Sequence, residues 1–435
     1  MSARHSINHV TAQEILDSRG NPTLSVTVIL TDGTRGTASV PSGASTGANE
    51  AVELRDGDPN RFGGKGVYKA VANIERDIAP AIQHMDVCDQ KTVDRCLIDL
   101  DGTPEKSRLG GNAIIGVSMA VARTAAATLG VPLWRSLGGA EPTLLPMPAF
   151  NVLNGGKHAD STLDFQEFMI VPVGAPSFSE ALRYGAETYA ALRRLLHERG
   201  YHASVGDEGG FAPAFEHAPL RSACAVIIEA IEQAGYKPGR DVAIALDPAA
   251  SSFGANGRYD LSRSGQIGLS RAELLALYAE LIDAFPIVSI EDGFADDDWQ
   301  GFSQQTAAQG DRIQIVGDDI TVTNARYIRE ATERQAMNAV LIKLNQVGTV
   351  TEALEAMRLC REAGWRTMVS HRSGETVDPF IADFAVATEA GQIKSGAPCR
   401  GERLAKYNRL LEIERALGAR ASFDNPFALA DARRG

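Results

Sequence analysis

The sequence lacks the marks of several protein classes. Its five cysteines form no C-x-x-C pair, which argues against a zinc ribbon or a disulfide framework and favours buried thiols. No run of about 18 uncharged apolar residues occurs, and the first residues, MSARHSINHV, lack the apolar centre of a secretion signal. We therefore expect no membrane span and a cytoplasmic location.

Positive charge is also in short supply. Asp and Glu outnumber Lys and Arg by 55 to 43, which gives a formal net charge of −12. A field of this sign repels polyanions, so nucleic acid is not expected as a partner. A small anion can still bind where basic side chains or a divalent cation are gathered in one pocket.

The second half of the chain repeats a βα pattern. With 44% apolar and 23% charged residues, the chain suits a large core or two domains. From residue 242 onward, short apolar runs alternate with amphipathic helical stretches. The predicted strands are VAIALD (242–247), IVSIE (287–291), IQIVGD (313–318), AVLIK (339–343), RTMVSH (366–371) and QIKSG (392–396). The helix after the first strand is predicted to begin at Ser270, and others to end at Gly364, Gly391 and Gly418.

Two further apolar runs, LLPMPAFNVL and FQEFMIVPV, precede these units and are followed by helical stretches over 180–199 and 220–234. The total of eight strands and eight helices predicts a closed (β/α)₈ barrel whose first quarter is ordered ββαα. An open doubly wound sheet is the alternative. It is weakened because neither G-x-G-x-x-G nor a Walker lysine loop follows a predicted strand.

The first 140 residues have α+β composition. TLSVTVIL and TRGTASVP flank Asp32-Gly33 and predict a hairpin, and GGNAIIGVSMAVARTAAATLG predicts a long helix. Four prolines between residues 132 and 148 mark the crossing into the barrel. We predict an N-terminal α+β domain over residues 1–140, with a mobile active-site loop, and a barrel domain over residues 141–435.

All six apolar runs from residue 242 onward finish in an ionisable residue. Barrel enzymes carry their reactive groups at the C-terminal ends of the strands. These side chains are therefore expected at one mouth: Asp247, Glu291, Asp318, Lys343, His371 and Lys394. A single acid at the end of a strand is usually a helix cap or a turn residue. Six ionisable groups at one mouth would be electrostatically unfavourable unless they shared ligands.

The three acids of this set predict a divalent metal. Converging carboxylates repel one another and raise one another's pKa unless a cation lies between them. Oxygen ligands completed by water suit Mg²⁺ better than zinc, which prefers His or Cys. The alternative is three unrelated caps.

The two lysines predict catalysis. Beside another cation and a metal, a lysine has a lowered pKa and can act as a base. Either Lys343 or Lys394 by itself would be typical of a surface lysine whose stem packs on the protein. Two of them on neighbouring strand ends, facing three acids, favour a catalytic role.

Three loops add candidate residues. SHRSGET (370–376) sets Arg372 and Ser373 before a helix, as in a phosphate site, although a helix cap with an exposed arginine is equally consistent. Loops 41–58, with Ser45, and 151–160, with His158, are expected to be mobile covers or plain flexible loops.

The segment ASVGDEGGFAP (203–213) sets Asp207 and Glu208 side by side between glycines and apolar neighbours. Taken alone, it is most simply interpreted as an Asp-Gly turn.

These motifs closely resemble one family, enolase, the phosphopyruvate hydratase of glycolysis. The resemblance runs nearly end to end, through DSRGNPT, PSGASTG, ELRDGD, GGKGV, DLDGT, NAIIGVSMA, NGGKHAD, QEFMI, VGDEGG, PIVSIED, VGDD, LIKLNQVGT, SHRSGET and QIKSGAP. It implies a small N-terminal α+β domain, a ββαα(βα)₆ barrel, two Mg²⁺ ions per site and a homodimer or higher homo-oligomer. Some members of this cytoplasmic family also occur at the cell surface or are secreted.

The resemblance also implies roles for the candidate residues. Lys343 takes the C2 proton of 2-phosphoglycerate, and Glu208, kept protonated by its apolar surroundings, assists departure of the C3 hydroxyl; Mg²⁺ and a Lys or His base are the known pairing of this superfamily. The first metal is bound by Asp247, Glu291 and Asp318, and the second by Ser45 with the substrate phosphate. The other implied catalytic residues are Glu167 and His371, and the implied substrate-binding residues are His158, Gln166, Arg372, Ser373 and Lys394.

Some positions depart from the family pattern. Ser25 and Glu412 stand where many members carry a Glu and an Arg that pair across the dimer interface, so that ion pair is absent here. Two other functions stay open. One is a related enzyme acting on unphosphorylated acids, such as an acid-sugar dehydratase or a racemase. The other is a structural or surface-binding protein that reuses the fold, although no metal acid or lysine of the motifs is replaced.

Overall fold

The computed structural model describes residues 5–43, 49–139, 141–159, 161–201 and 203–427. Its first part is a three-stranded antiparallel sheet packed against helices. The elements are β1 (Ile7–Leu16), β2 (Pro22–Leu30), β3 (Arg35–Ser39), α1 (Tyr68–Asn73), α2 (Ala79–Ile82), α3 (Gln90–Asp101), α4 (Gly111–Leu129) and α5 (Leu133–Gly138). A π-helical turn over Ile74–Ile78 joins α1 and α2.

The hairpin predicted around Asp32-Gly33 is confirmed. β2 and β3 pair antiparallel, and Gly33 takes a φ of 88°, which favours glycine in the turn. α4 packs on this sheet. Gly116 permits the close approach, because a Cβ there would lie 2.7 Å from a methyl group of Val26.

α4 is, among the described residues, the one helix long and apolar enough to cross a membrane by length and composition. Its mean hydropathy is 1.3, and 78% of the window that gives this value is buried within the protein. Burial of this extent is typical of a core helix, and Arg123 within α4 makes an ion pair with Asp378 of the second part.

The second part is a closed barrel of eight strands. Its elements are β4 (Met147–Asn154), β5 (Glu167–Val171), α6 (Phe178–Glu198), α7 (Pro219–Gln233), β6 (Ala243–Asp247), β7 (Gly254–Ala255), β8 (Arg258–Leu261), β9 (Gln266–Ser270), α8 (Arg271–Ala284), β10 (Ile287–Glu291), α9 (Trp299–Gln309), β11 (Gln314–Gly317), α10 (Ala325–Glu333), β12 (Ala339–Ile342), α11 (Leu344–Val347), α12 (Val350–Glu362), β13 (Arg366–Ser370), α13 (Phe380–Ala387), β14 (Gly391–Lys394) and α14 (Gly401–Leu417).

The order of hydrogen-bonded strands confirms the predicted barrel. It runs β4, β5, β6, β10, β11, β12, β13 and β14, and β14 pairs with β4 to close the ring. Of these strands, β5 runs antiparallel to both of its neighbours and the others are parallel. The first quarter is therefore ββαα, and the open-sheet alternative is wrong.

Two details differ from the sequence predictions. A small antiparallel sheet, β7 to β9, is inserted between β6 and α8 and was not predicted. Gly391 does not end a helix: α13 ends at Ala387, Glu389 takes the left-handed φ of 48°, and Gly391 opens β14. The predicted start of α8 is confirmed, because Ser270 and Glu273 form a full capping box.

Backbone hydrogen bonds join the first part to the mouth of the barrel. Ser42 and Gly374 exchange two N–H···O bonds of 2.7 and 2.9 Å, and the Ser18 N–H donates to the Glu375 carbonyl over 2.7 Å. The segment after β3 is thereby held against the loop that follows β13.

We expect Gly185→Ala to lower the free energy of unfolding by up to about 2 kcal/mol. A Cβ on Gly185 of α6 would lie 2.3 Å from the ring of Phe150, which is fully buried and packs on Tyr407 with the ring centroids 4.9 Å apart. Overpacking costs about 1–3 kcal/mol and outweighs the gain of about 1 kcal/mol in helix propensity. Urea unfolding measures the difference.

The matched control is Ala186→Gly at the next position of α6, which is exposed. It should lose about 1 kcal/mol from helix propensity alone. If Gly185→Ala raised stability by as much as Ala186→Gly lowers it, the contact with Phe150 would carry no packing constraint.

Candidate active site

The predicted site residues that the structure describes gather at one end of the barrel. A cavity there is lined by His158, Gln166, Glu167, Glu208, Asp247, Ala249, Asp292, Asp318, Asp319, Lys343, Ser370, His371, Arg372, Ser373 and Lys394. Glu291 joins this set through a 2.7 Å contact between its Oε1 and Lys394 Nζ. Ser45, predicted to bind the second metal, lies outside the described residues.

Gln166 and Glu167 reach the mouth because β5 runs in the opposite direction to its neighbours. Glu167, its first residue, pairs with Asp247, the last residue of β6. The Gln166 N–H also donates to the Asp247 carbonyl over 3.0 Å. A reversed strand supplies its first residues to the site, whereas the parallel strands supply their last ones.

Lys394 is the cation around which three buried carboxylates gather. Its Nζ lies 2.7 Å from Glu291 Oε1, 3.4 Å from Glu167 Oε2 and 3.5 Å from Asp247 Oδ2. Burial alone would lower the pKa of the Lys394 ammonium, but the nearby carboxylates raise it well above its usual value. Lys394 is therefore a fixed positive charge.

Lys343 forms a second, partly buried ion pair. Its Nζ donates to Asp318 Oδ2, and the Gln346 amide donates to Asp318 Oδ1 over 2.9 Å. Burial alone would lower the pKa of Lys343, but Asp318 raises it. The sequence did not reveal this direct contact, and the lowered pKa predicted for the lysine applies beside a bound metal and stays a prediction.

The acids at the mouth outnumber the cations and fit a divalent metal. Among the described residues, Glu291 Oε2 is a buried carboxylate oxygen with no hydrogen-bond partner. Burial, with help from Asp247 and Asp318, raises the pKa of Glu291 to about 8. An unpartnered carboxylate oxygen beside further carboxylates is a donor set for a hard cation.

Asp292 and Asp319 also line this mouth, and neither was predicted as a site residue. Oxygens of Asp292, Asp318 and Asp319 lie within 4.8 Å of one another. Asp292 accepts the N–H groups of Asp318 and Asp319 over 2.8 and 2.9 Å and so fixes the turn after β11. Its position directly after the strand-ending Glu291 was the signal that could have found it.

Glu208 is buried in a loop that only glycines allow. Gly209 takes a φ of 88°, and a Cβ on Gly210 would lie 2.4 Å from Asn154 Oδ1. The Ala397 N–H donates to the Glu208 carbonyl over 2.9 Å, which ties the loop to the end of β14. The segment between α6 and α7 is therefore packed into the mouth and is not an ordinary solvated turn.

The Glu208 carboxylate is surrounded by donors. Asn151 Nδ2 donates to its Oε2 over 3.0 Å, and His371 Nε2 and His158 Nδ1 lie 3.4 and 3.7 Å from its oxygens. Burial alone would raise the pKa of Glu208, but His371, His158 and Arg403 hold it well below its usual value. The structure thus favours the ionised form.

Glu167 faces the same histidine, His158, as Glu208 does. His158 Nδ1 lies 3.6 Å from Glu167 Oε1, and burial, followed by the charge of Glu208, raises the pKa of Glu167 well above its usual value. The protonated Glu208 that the resemblance implies applies to the reaction with metal and substrate bound, and it stays a prediction. The sequence indicated the burial of Glu208 but not the donors that face it.

Arg372 and Ser373 lie at the predicted place after β13. Two guanidinium nitrogens of Arg372 lie 2.9 and 3.2 Å from the oxygens of Glu50, which comes from the first part of the chain. Ser373 Oγ lies 3.3 Å from His158 Nε2. The Glu50 carboxylate of the N-terminal part thus lies against the Arg372 guanidinium, where the sequence predicted a phosphate.

Two buried basic side chains of α14, Arg403 and Lys406, hydrogen-bond to this loop, and neither was predicted from the sequence. Arg403 donates to the carbonyls of Arg372 and Ser373, each over 2.6 Å. Lys406 donates to Glu375 Oε2 over 2.8 Å and to the Thr376 carbonyl over 2.5 Å. Their three-residue spacing, on the same helix face as the buried Tyr407, was the available signal.

The site can therefore hold a divalent cation and an anionic substrate. It offers fixed positive charge at Lys394 and Arg372, an amine at Lys343, and two buried carboxyls, Glu167 and Glu208, whose pKa values are shifted in opposite directions. Groups with pKa values pushed apart in one buried mouth are typical of acid–base catalysis.

Comparison with known proteins agrees with this arrangement. Residues 7–137 match the family model "Enolase, N-terminal domain", and residues 142–429 match "Enolase, C-terminal TIM barrel domain". Enolase 1 of Methylococcus capsulatus is 61% identical over 423 residues, which cover 97% of this chain and 100% of that protein.

Two further relatives are similar over nearly their whole length. The enolase of Desulfotalea psychrophila is 57% identical over 96% of this chain and 99% of its own. The enolase of Acidothermus cellulolyticus is 57% identical over 96% of both chains. On the family models and these relatives together, the chain belongs to the enolase family.

Proposed function

We propose that this chain is a phosphopyruvate hydratase, a carbon–oxygen lyase. It catalyses the reversible dehydration of 2-phospho-D-glycerate to phosphoenolpyruvate in glycolysis and gluconeogenesis. The observation that carries the proposal is the meeting of Lys343, Lys394 and a ring of acids in one buried mouth. Family membership makes the reaction the expected one.

In this reaction Lys343 removes the proton from C2, and a carboxylic acid at Glu208 gives its proton to the departing C3 hydroxyl, so that water leaves and a C2–C3 double bond forms. Removal of the C2 proton places a second negative charge on the substrate carboxylate. Lys394, held among its carboxylates, is the fixed charge that stabilises it.

The metal ligands are assigned to the acids. Asp247, Glu291 and Asp318 would hold one Mg²⁺, and Ser45 with the substrate phosphate a second. Bound there, the metal would supply positive charge at the substrate carboxylate. Asp318 would then contact both the metal and Lys343. Its stabilisation of the protonated form of Lys343 would be weaker as a result.

The remaining residues bind the substrate and move its protons. Arg372 and Ser373 take the phosphate once Arg372 exchanges Glu50 for it, and His158 and Gln166 line the same cavity. Glu167 stores the proton that Glu208 needs, because the two carboxyls flank His158 Nδ1 at 3.6 and 3.7 Å. His371 orients Glu208 from the other side.

We further propose a cytoplasmic protein of two domains, residues 1–140 and 141–435, that forms a homodimer or a higher homo-oligomer. Glu412 lies on α14 with its side chain 66% exposed and paired with Arg409 of the same helix over 2.8 Å. Ser25 lies within β2 and is 9% exposed. Any dimer therefore forms without an ion pair between these two positions.

A direct assay tests the reaction. Full-length protein with Mg²⁺ and 2-phosphoglycerate should give the ultraviolet absorbance of phosphoenolpyruvate, and a chelator should abolish it. No product under these conditions, with turnover of an unphosphorylated acid sugar instead, would assign the chain to a different reaction of the superfamily.

Lys343→Ala should abolish turnover while the protein stays folded. Loss of a general base lowers kcat by about 10²–10⁴-fold, and the circular dichroism spectrum should not change. The matched control is Lys237→Ala at an exposed position, which should keep the wild-type kcat. Comparable kcat values for Lys343→Ala and the wild type would remove Lys343 from the reaction.

Asp318→Ala should weaken Mg²⁺ binding by about 10-fold or more, since it removes a ligand. Calorimetric titration of the full-length protein with Mg²⁺ measures this without turnover. Asp319→Ala, the neighbouring acid that is not assigned as a ligand, should shift the titration less. An unchanged titration for Asp318→Ala would take Asp318 off the ligand set.

A further inference from the structure

Arg403 makes one contact beyond its hydrogen bonds to the loop after β13. The residue is fully buried in α14, and the same Nη1 that donates to the Arg372 carbonyl also lies 2.6 Å from His371 Nδ1. The second terminal nitrogen of Arg403, Nη2, donates to the carbonyls of Ser373 and Asp207. The guanidinium thus contacts both the loop after β13 and the imidazole that faces Glu208.

The short distance decides where the imidazole proton lies. A guanidinium has only donors and stays protonated, so His371 Nδ1 must accept from Arg403. A neutral imidazole then carries its proton on Nε2, the nitrogen 3.4 Å from Glu208 Oε2. A flipped ring would set carbon atoms against both partners.

Burial and the guanidinium charge also keep the ring neutral. Burial, opposed by Glu208 and assisted by Arg403, lowers the pKa of His371 to about 4. A second proton on Nδ1 would point at the Arg403 guanidinium. One tautomer of one protonation state therefore fits the pocket.

We infer that Arg403 is a positioning residue that holds His371 as its Nε2–H tautomer, so that a donor always faces the Glu208 carboxylate. The inference rests on the proposed function, in which Glu208 delivers a proton to the leaving hydroxyl. With the other tautomer, the lone pair of Nε2 would face the carboxylate oxygen and repel it.

The consequence is a more acidic Glu208. A carboxylate that accepts a hydrogen bond is stabilised relative to the carboxylic acid, so a protonated Glu208 gives up its proton to the leaving hydroxyl more readily. His371 cannot withdraw this proton, because its Nε2 is already protonated. Arg403 does this without contacting the cavity, since it does not line it.

A variant of Lys406 can distinguish control of the His371 tautomer from support of the loop. It lies one helical turn further along α14, is buried to the same degree, and bonds to Glu375 and the Thr376 carbonyl of the same loop. None of its hydrogen bonds in the described structure reaches His371. Lys406→Met is therefore the matched control for Arg403→Met.

The wild-type protein supplies the first test. Full-length protein labelled with ¹⁵N at its eight histidines is examined by NMR at neutral pH, with and without Mg²⁺, and His371→Gln identifies the His371 signals. We expect a protonated Nε2 and an unprotonated Nδ1. A protonated Nδ1 would overturn the inference, and this result needs no Arg403 variant to fold.

The variants supply the second test. Arg403→Met should lose the Nε2–H preference and lower kcat by about 10²-fold or more, the scale of a general-acid contribution. Arg403→Lys should keep the tautomer and recover part of kcat, because an ammonium is also only a donor. Lys406→Met should keep the tautomer even if loop loosening raises KM.

The outcomes are distinguishable from failure of the proposed function. If phosphoenolpyruvate forms but Arg403→Met and Lys406→Met show the same His371 tautomer as the wild type, Arg403 supports only the loop. If His371 holds the Nε2–H tautomer but no phosphoenolpyruvate forms, the reaction assignment fails and the Arg403 contact has another purpose.

Discussion

Lys394 lies within 3.5 Å of three buried carboxylates, and Lys343 contacts a fourth. Each of these charges would cost several kcal/mol to bury alone, so the acids and the ammonium groups are tolerable only together. This mutual dependence shapes the mouth of the barrel. It concentrates negative charge where a divalent cation fits, and it places fixed positive charge beside the cavity that we propose binds the substrate. Every role assigned above to a residue of the mouth draws on that balance.

The same principle extends outward from the cavity. The loop after β13 carries His371, Arg372 and Ser373, and its carbonyls are held by buried cations of α14. Glu50 of the N-terminal part meets Arg372 from the other side. The groups that we propose to bind phosphate are thus positioned by charges that come from two distant stretches of the chain and converge on one short loop.

Strand periodicity and strand endings made the barrel and most of the site predictable, since side chains that close parallel strands meet at one edge. The sequence could not give contacts between groups brought together by folding. Lys343 contacts Asp318, and this contact, which raises the pKa of the lysine, could not be seen in the sequence. Glu208 faces Asn151 and two histidines, and these contacts lower its pKa although the carboxyl is buried. Arg403 was missed because a basic residue in a terminal helix is usually exposed. The inserted sheet β7 to β9 was missed because its strands are only two to five residues long.

The reversal of β5 has a consequence for tolerance to change. Glu167 and Asp247 are neighbours in one ladder, and Glu167 also pairs with Asn154 on the other side. Their spacing is set by the backbone lattice of the sheet, not by the length of the connection that leads into β5. A change in length between residues 155 and 165 would therefore leave the distance between these two carboxyls unchanged and would be felt instead at His158, which lies in that connection.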